Sequence, residues 1–432
     1  MISILNFFRL VVLFFLCLIF YFFDKNRSVY FFLKLSGPSF IKLGQVLSVR
    51  PDLVGKDLSK ILSVFQDSLT PFCAKKVKKI LLQEFGQAKE SFFIDFDFKP
   101  VASASIAQVH KAKLQNGQFV AVKIMRPRIK KIMMRDISTL KFIVKISAVF
   151  SEFFARSLFD ILKLLQETSK NELDFLNEAA NASRLKEDLK GVKGFYVPQI
   201  FWQFSTEKIL VLEWLDGIPF SDIEAISNSS FDKTKIAQNL VNSYFKQVYD
   251  NGFFHADMHP GNLFLLKNGD IGVVDFGIMG KIDKKTRLAI AEIFIGFLNK
   301  NYQKVAQLHI EANLVPPNTN VDDLALSCRK IGELVVGCDV KDISAATLLE
   351  NLIKMTRDYK TEARPEILLL QKTIFLVEGV GVSLNPNLNI WNLARPWIKD
   401  WAKKNIGFDA KIRDSLLELL ELAKNFIKNT RN

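Results

Sequence analysis

The tract GFFHADMHPGNLFLLKNGDIGVVDFG, from Gly252 to Gly277, holds the residues best suited to chemistry. Asp257 precedes Asn262 by five residues, and Asn262 precedes Asp275 by thirteen. Between Asn262 and Asp275 lie an apolar run (LFLL), a KNGD turn and a second apolar run (IGVV) that ends at Asp275. Two short strands joined by such a turn return the chain to its start. Asn262 and Asp275 are therefore expected close together, with Asp257 in the loop just before. A carboxylate and an amide carbonyl are hard oxygen ligands of the kind taken by a divalent cation that travels with a nucleoside triphosphate. A second carboxylate nearer the terminal phosphate would position or deprotonate an acceptor. This spacing predicts Asn262 and Asp275 as metal ligands and Asp257 as the catalytic residue. His255 and His259 flank Asp257, but no cysteine is near enough to complete a zinc set. His255 reads as a packing and hydrogen-bonding residue of the loop, and His259-Pro260 as shaping it.

Phosphate chemistry also needs an upstream lysine on a strand, held by a helix carboxylate. Lys123 in FVAVKI meets that description. Asn116-Gly117 marks a hairpin turn between FFIDFDFKPVASASIAQVHKAKL and FVAVKI. The small-residue segment ASASIAQV stands where a nucleotide kinase places its phosphate-covering loop. Downstream, KNELDFLNEAANASRL carries Glu172, Asp174 and Glu178. Asp174 and Glu178 share a helix face at i,i+4, whereas Glu172 is offset, so the three acids need not serve one site. Lys42 and Gln45 in GPSFIKLGQVLSVRPDL are three apart on an amphipathic helical stretch, by themselves an ordinary solvent-facing polar stripe.

These residues sit in a chain of 432, long enough for one large two-lobed domain with added elements. Hydrophobic residues make up 49%, Phe alone supplies 39, and the formal net charge is +14. A basic balance suits anionic lipid, phosphorylated ligands or nucleic acid. No zinc-finger spacing, RNP-like strand or Arg-rich recognition helix is present, which argues against nucleic acid as a partner. The four cysteines form no CxxC pair, which disfavours a disulfide framework and makes a reducing compartment the default. Residues 10–23 read LVVLFFLCLIFYFF. Taken from Ile2 to Phe23, the segment reaches the roughly 20 residues that cross a bilayer core, with Arg9 as a charge inside it. It is expected to be a membrane helix that either spans or lies in the interface. Lys25 and Arg27 after it would hold the following chain on the cytoplasmic side.

On these residues the chain resembles the UbiB family of atypical kinase-like proteins, also called the ABC1/ADCK family, from about Ser36 to Pro396. Its Lys-x-Gly-Gln signature appears as Lys42, Leu43, Gly44 and Gln45. The family's alanine-rich loop appears as Ala102, Ser103, Ala104, Ser105, Ile106 and Ala107, followed by Gln108. The nucleotide lysine corresponds to Lys123, the Glu-x-Asp motif to Glu172 and Asp174, and the further helix acid to Glu178. The catalytic-loop motif runs from His255 to Asn262, and the metal aspartate is Asp275. KTIFLVEGVGVSLNP, from Lys372 to Pro386, resembles the family's C-terminal core.

The resemblance implies an α+β, atypical two-lobed protein-kinase-like fold with a helical N-terminal extension, a largely helical C-terminal lobe and, here, the N-terminal membrane helix. The expected segments are a hydrophobic membrane segment at 1–24, a helical extension at 25–91, an N-lobe at 92–216, a C-lobe at 217–400 and an amphipathic helix at 401–432. The resemblance implies ATP and Mg2+ as ligands, with Ala102 to Ala107, Lys123 and Glu178 binding nucleotide. The extension would fold over the active site, Lys42 engaging Glu172 or Asp174, with Gln45 gating alongside them and Lys42 taking part in catalysis. It also implies work in or around ubiquinone synthesis, with membrane lipids, isoprenoid quinone intermediates and quinone-biosynthesis enzymes as partners. The setting implied is the bacterial inner membrane, with the kinase-like domain facing the cytoplasm. Many bacterial members carry C-terminal transmembrane segments, whereas the tail DAKIRDSLLELLELAKNFIKNTRN is amphipathic and too polar to span. After Gly277 the chain is expected to turn helical almost at once, with no Ala-Pro-Glu-like segment for a peptide platform. An ATPase or small-molecule kinase is thus expected rather than a protein kinase, the alternative being a non-catalytic nucleotide-gated scaffold or lipid-handling chaperone.

Overall fold

The computed structural model describes residues 2–21, 24–48, 55–62, 70–86, 92–150, 172–336, 345–359 and 364–386, with isolated positions at 159, 162–163, 165–166, 361, 390, 393, 397, 401 and 404–405. Most of the amphipathic tail expected at 401–432, the Gln45 side chain and Cys338 lie outside the described residues. The chain divides into two compact units. The first comprises Met1–Lys186, Val197–Leu215 and Asp275–Gly277, and the second comprises the remainder.

The first unit is built on a five-stranded antiparallel sheet. Its strands are β1 (Phe93–Phe96), β2 (Ala102–Ser103), β3 (Ala107–Leu114), β4 (Phe119–Met125) and a later strand, Ile209–Glu213. β3 and β4 form the hairpin expected around Asn116-Gly117. Gly117 takes a φ of 85°, a conformation that costs a residue without Cβ little. Along β4, Val120, Val122 and Ile124 are wholly buried against Val77, Ile80 and Leu81 of a helix below the sheet. Side chains alternate across a strand, so Lys123 is presented on the other face.

Helices α1 (Ile2–Tyr21), α2 (Lys25–Ser36), α3 (Pro38–Ser48), α4 (Lys56–Leu62) and α5 (Ala74–Phe85) precede the sheet; α6 (Ile129–Phe150) and α7 (Phe175–Asp188) follow β4. Leu10, Leu33, Phe40, Leu43, Leu47 and Leu62 share a core with Ile137 of α6. Polar side chains fix this packing. Asn6 Nδ2 donates to Asp136 Oδ1 at 3.2 Å and to Thr139 Oγ1 at 3.0 Å, and Ser39 donates to Asp136 Oδ2 at 2.6 Å. Arg9 donates to the Ser36 carbonyl at 2.6 Å.

Of the two alternatives expected for the N-terminal helix, spanning and interfacial, the spanning one is not borne out. Asn6 and Arg9 inside α1 bond to protein groups, and the helix is docked on α2 and α6. Among the described residues, one helix is long and apolar enough to cross a bilayer, and it is Pro365–Leu384 near the C-terminus.

The second unit contains a four-stranded sheet and a helical array. β5 (Phe195–Tyr196) runs parallel to β10 (Ile271–Val273). β10 pairs antiparallel with β9 (Leu263–Leu266), and β9 with β7 (Gly217–Pro219); we number Ile209–Glu213 of the first unit β6. The KNGD turn joins β9 to β10 through Gly269 at a φ of 84°. Helix α8 (Ile223–Ser227) and then α9 (Lys233–Phe245) with a π-helical turn (Lys246–Asn251) lead to β8 (Phe253–His255). β8 pairs with β11 (Met279–Lys281), so a short strand precedes the helix that the sequence predicted almost at once after Gly277 and that begins at Lys284. The array continues with α10 (Lys284–Leu298), α11 (Tyr302–Glu311), α12 (Val321–Val336), α13 (Ala345–Asp358) and α14 (Pro365–Leu384). α14 packs on α9 and α13, and its Ile367, Leu370, Ile374, Val377 and Val380 are buried. Its apolar character is thus used in the core of this unit.

Candidate functional site

In the first unit, Lys123 is nearly buried and its ammonium is shared by two acids. Nζ lies 2.8 and 3.0 Å from the two carboxylate oxygens of Glu178 and 3.3 Å from Asp275 Oδ1. Phe175, the first residue of α7, underlies the ammonium at 5.5 Å. Burial pushes the lysine pKa down, but Asp275 and Glu178 outweigh it and hold it above the usual lysine value. Burial raises the pKa of Glu178 in spite of Lys123. Asp275 has a φ of 63°, a strained region for a residue with a Cβ, held here by its bond to Gly277 N.

A second ion pair joins the helical extension to this cluster. Lys42 of α3 is buried, not solvent-facing, and its Nζ lies 2.6 Å from Glu172 Oε1. Glu172 stands close to the Cα of Gly277, and burial raises its pKa beyond what Lys42 pulls it down. Asp174 sits just before α7, and its Oδ1 accepts from Leu176 N at 2.9 Å as a cap does. The expected i,i+4 face shared by Asp174 and Glu178 is therefore not formed, because the helix starts at Phe175. Glu172 and Glu178 serve two different lysines.

The alanine-rich segment is a tight turn between β2 and β3. Ala104 N donates to the Ala107 carbonyl at 2.8 Å. Arg126 braces it, giving Nε to the Ala104 carbonyl at 3.0 Å and Nη2 to Ser103 Oγ at 2.8 Å. Ser105, Ile106 and Ala107 are buried, and Ala102 is exposed.

In the second unit, the β9–β10 hairpin closes with Val274 N donating to the Asn262 carbonyl at 2.9 Å, and Asp275 is the next residue along the chain. Asn262 Nδ2 donates to the Asp257 carbonyl at 3.0 Å and approaches Asp257 Oδ2 at 3.4 Å. His255 is wholly buried. Its Nδ1 accepts from Asp257 N at 3.2 Å, its Nε2 lies 3.2 Å from the Val274 carbonyl, and its backbone N donates to Gln247. His259 Nδ1 accepts from Gly261 N, turning the loop. Lys372 Nζ of α14 lies 2.7 Å from Asp257 Oδ1. Burial pushes the Asp257 carboxyl up, but Lys372, His259 and His255 together hold it below the usual range.

Comparison with known proteins identifies this architecture. Residues 64–309 match the ABC1 atypical kinase-like domain, and residues 328–389 match the UbiB helical domain. The chain is 35% identical over 413 residues to the "Probable protein kinase UbiB" of Aeromonas hydrophila, covering 92% of this chain and 76% of that one. The protein of the same name from Azotobacter vinelandii is 36% identical over 415 residues, covering 94% and 77%. The chain belongs to the UbiB family. Among solved structures, that of the Rv3197–erythromycin complex from Mycobacterium tuberculosis is similar, with a TM-score of 0.56, 25% identity, and coverage of 82% of this chain and 90% of that one.

Within this UbiB-family chain, the structure brings Lys123, Glu178 and Asp275 into one cluster, Lys42 and Glu172 into a pair, and Asp257 and Asn262 into another. Sequence reasoning missed two side chains. Arg126 carried no signal beyond a basic residue at a strand end. Lys372 did carry one, as a cation in the middle of the apolar run ILLLQKTIFLV, whose partner is 115 residues away.

Proposed function

We propose that this UbiB-family chain is a Mg2+-dependent ATP-binding phosphotransferase or ATPase that acts in ubiquinone synthesis at a membrane. The single observation that carries the reading is the Lys123–Glu178–Asp275 cluster. A lysine held by a helix glutamate beside an aspartate is the arrangement that grips nucleotide phosphates and a metal in kinases. Lys123 would neutralise phosphate oxygens, with Glu178 orienting it. The turn from Ser103 to Ala107, braced by Arg126, would cover the phosphates. The relatives' name supplies the link to UbiB and to a kinase.

Asp275 and Asn262 each carry a hard oxygen of the kind magnesium takes. Among the described residues no group of three or more His, Cys, Asp and Glu gathers into a metal cage. Mg2+ commonly takes one or two carboxylates and completes its shell with water and phosphate oxygens. Asp275, with its side chain 41% exposed, offers such a carboxylate. Asn262 commits its amide nitrogen to Asp257, which leaves its carbonyl oxygen for a cation. When bound, the metal would neutralise phosphate charge. In the transfer, the acceptor oxygen bonds to the terminal phosphorus and the bond to the bridging oxygen breaks. ADP leaves with that electron pair, and the acceptor's proton passes toward the Asp257 carboxylate. The Lys42–Glu172 pair ties the extension beside Asp275 and Gly277, and we assign it a gating role, with Lys42 held there by charge.

A second reading has its own observation. Asp257 is tied to Lys372 and its pKa is lowered, so it is a weak base. That favours a nucleotide-gated scaffold or lipid-handling chaperone for quinone-biosynthesis enzymes. The membrane contact we propose is interfacial: Phe8, Phe15 and Phe20 of α1 are 61%, 60% and 63% exposed, with Lys25 and Arg27 close by in sequence to meet anionic headgroups on the cytoplasmic face of a bacterial inner membrane.

Two variants test the proposal. Asp275→Asn is expected to weaken Mg2+-dependent ATP binding by at least about tenfold, read by calorimetry with and without the metal. Unchanged affinity and hydrolysis would remove the assignment. Asp257→Asn expressed in a strain lacking the gene should bind ATP yet fail to restore quinone; restoration would favour the scaffold.

A further inference from the structure

Lys372 stands in the middle of a helix whose neighbouring turns are apolar and buried. An ammonium in such a place is costly unless paired, so its position has a reason beyond helix formation. Its partner is Asp257 Oδ1 at 2.7 Å. The pair is neither sealed nor open, with side chains 21% and 23% exposed. The other carboxylate oxygen, Oδ2, faces Asn262 Nδ2 at 3.4 Å and His259 Nε2 at 3.7 Å. Asp257 is thus held at both oxygens, and one of the two holds comes from a separate helix.

The loop explains the need. Between Asp257 and Asn262 it reads Met258, His259, Pro260, Gly261, with no lysine or arginine. Phosphoryl transfer spreads negative charge over the transferred oxygens, and an unheld carboxylate beside them would turn away or repel. A cation at the carboxylate answers both requirements. The partial exposure leaves the ammonium edge within reach of a bound ligand, which a purely structural tie does not require.

We propose that Lys372 is a positioning residue for phosphoryl transfer, orienting the Asp257 carboxylate from α14 in place of a cation the catalytic loop lacks. This rests on the phosphotransferase reading above. It also gives α14 a role in the chemistry as well as in packing.

The test uses the full chain with MgATP and water as acceptor. Lys372→Met is expected to lower kcat roughly 10- to 100-fold, while the KM for MgATP moves less than about threefold. Lys372→Arg, which can still reach a carboxylate, is expected to restore most of kcat. In a cycle with Asp257→Asn, the double variant should be no slower than Asp257→Asn alone, because Lys372 acts through that side chain. Thermal melts establish that each variant is folded, and Lys372→Gln replaces Lys372→Met should the latter not fold. A folded Lys372→Met enzyme with unchanged kcat, or losses that multiply in the cycle, overturns this proposal alone. A wild-type protein with no Mg2+-dependent turnover overturns the phosphotransferase reading and this inference with it.

Discussion

Replacing Glu178 by Gln removes one charge from the Lys123 cluster while keeping its shape. The native carboxylate accepts from Lys123 Nζ through both oxygens, at 2.8 and 3.0 Å. Gln retains one acceptor and turns the other into an amide NH2, which cannot accept from an ammonium. Charge-assisted bonds contribute about 1.5–3 kcal/mol each and neutral ones about 0.5–1.5 kcal/mol. Losing one and weakening the other costs about 3 kcal/mol. Asp275 remains 3.3 Å from Nζ, so the ammonium is not left bare and the full penalty of a broken buried pair is not reached. For a unit of this size the melting temperature should fall by roughly 6–12 °C.

The same change loosens Lys123 before any nucleotide arrives. A tenfold affinity loss would cut the stabilisation by MgATP at about 100 times the native Kd from about 2.7 to about 1.4 kcal/mol. Thermal melts with and without MgATP read both numbers. A control separates stability from function. Lys123→Met with Glu178→Leu replaces the buried pair by apolar side chains and should recover most of the lost stability. It should show no nucleotide-dependent shift at all. A Glu178→Gln protein that melts with the wild type and shifts equally with MgATP refutes the reasoning.

Lys42→Ala should destabilise by about 3–5 kcal/mol at neutral pH, because it leaves the buried Glu172 carboxylate without its ammonium. Burial already raises the Glu172 pKa, so in this variant protonation relieves the penalty: the deficit against wild type should shrink as pH falls and grow as pH rises, in denaturant titrations between about pH 5 and 8. His309 behaves with the opposite slope. Burial lowers its pKa, so the folded state favours the neutral ring, whose Nδ1 lies 2.8 Å from the Val305 carbonyl. Its contribution is complete above the unfolded value of about 6.5 and is lost as pH falls below it. His309→Gln should flatten the acid limb of the stability curve, and an unchanged slope would count against this. His110, similarly lowered by burial, adds to the slope in the same direction.

The local parts of the site were legible because local rules govern them. Asn116-Gly117 and the KNGD turn demanded hairpins, and both turns carry a glycine at positive φ. Alternation along FVAVKI put Lys123 opposite Val122 and Ile124 before any partner was known. The order of Lys123, the helix acids, Asp257, Asn262 and Asp275 was itself enough to single them out as candidates. The spanning alternative for the N-terminal segment was raised because length and apolarity are shared by a membrane span and a docked helix. Asn6 and Arg9 choose the second by bonding to Asp136, Thr139 and Ser36.

Residue types, spacing and turn chemistry determined the strands, the hairpins and the candidate list, since each depends on neighbours within a few positions. Tertiary structure alone decided which acid meets which lysine: Glu178 with Lys123 and Glu172 with Lys42. It also decided that Lys372 reaches Asp257. Those pairings join side chains 55 and 115 residues apart in two of the three cases. Electrostatic attraction selects among partners that packing has already brought near, and packing over such separations leaves no periodic trace in the chain.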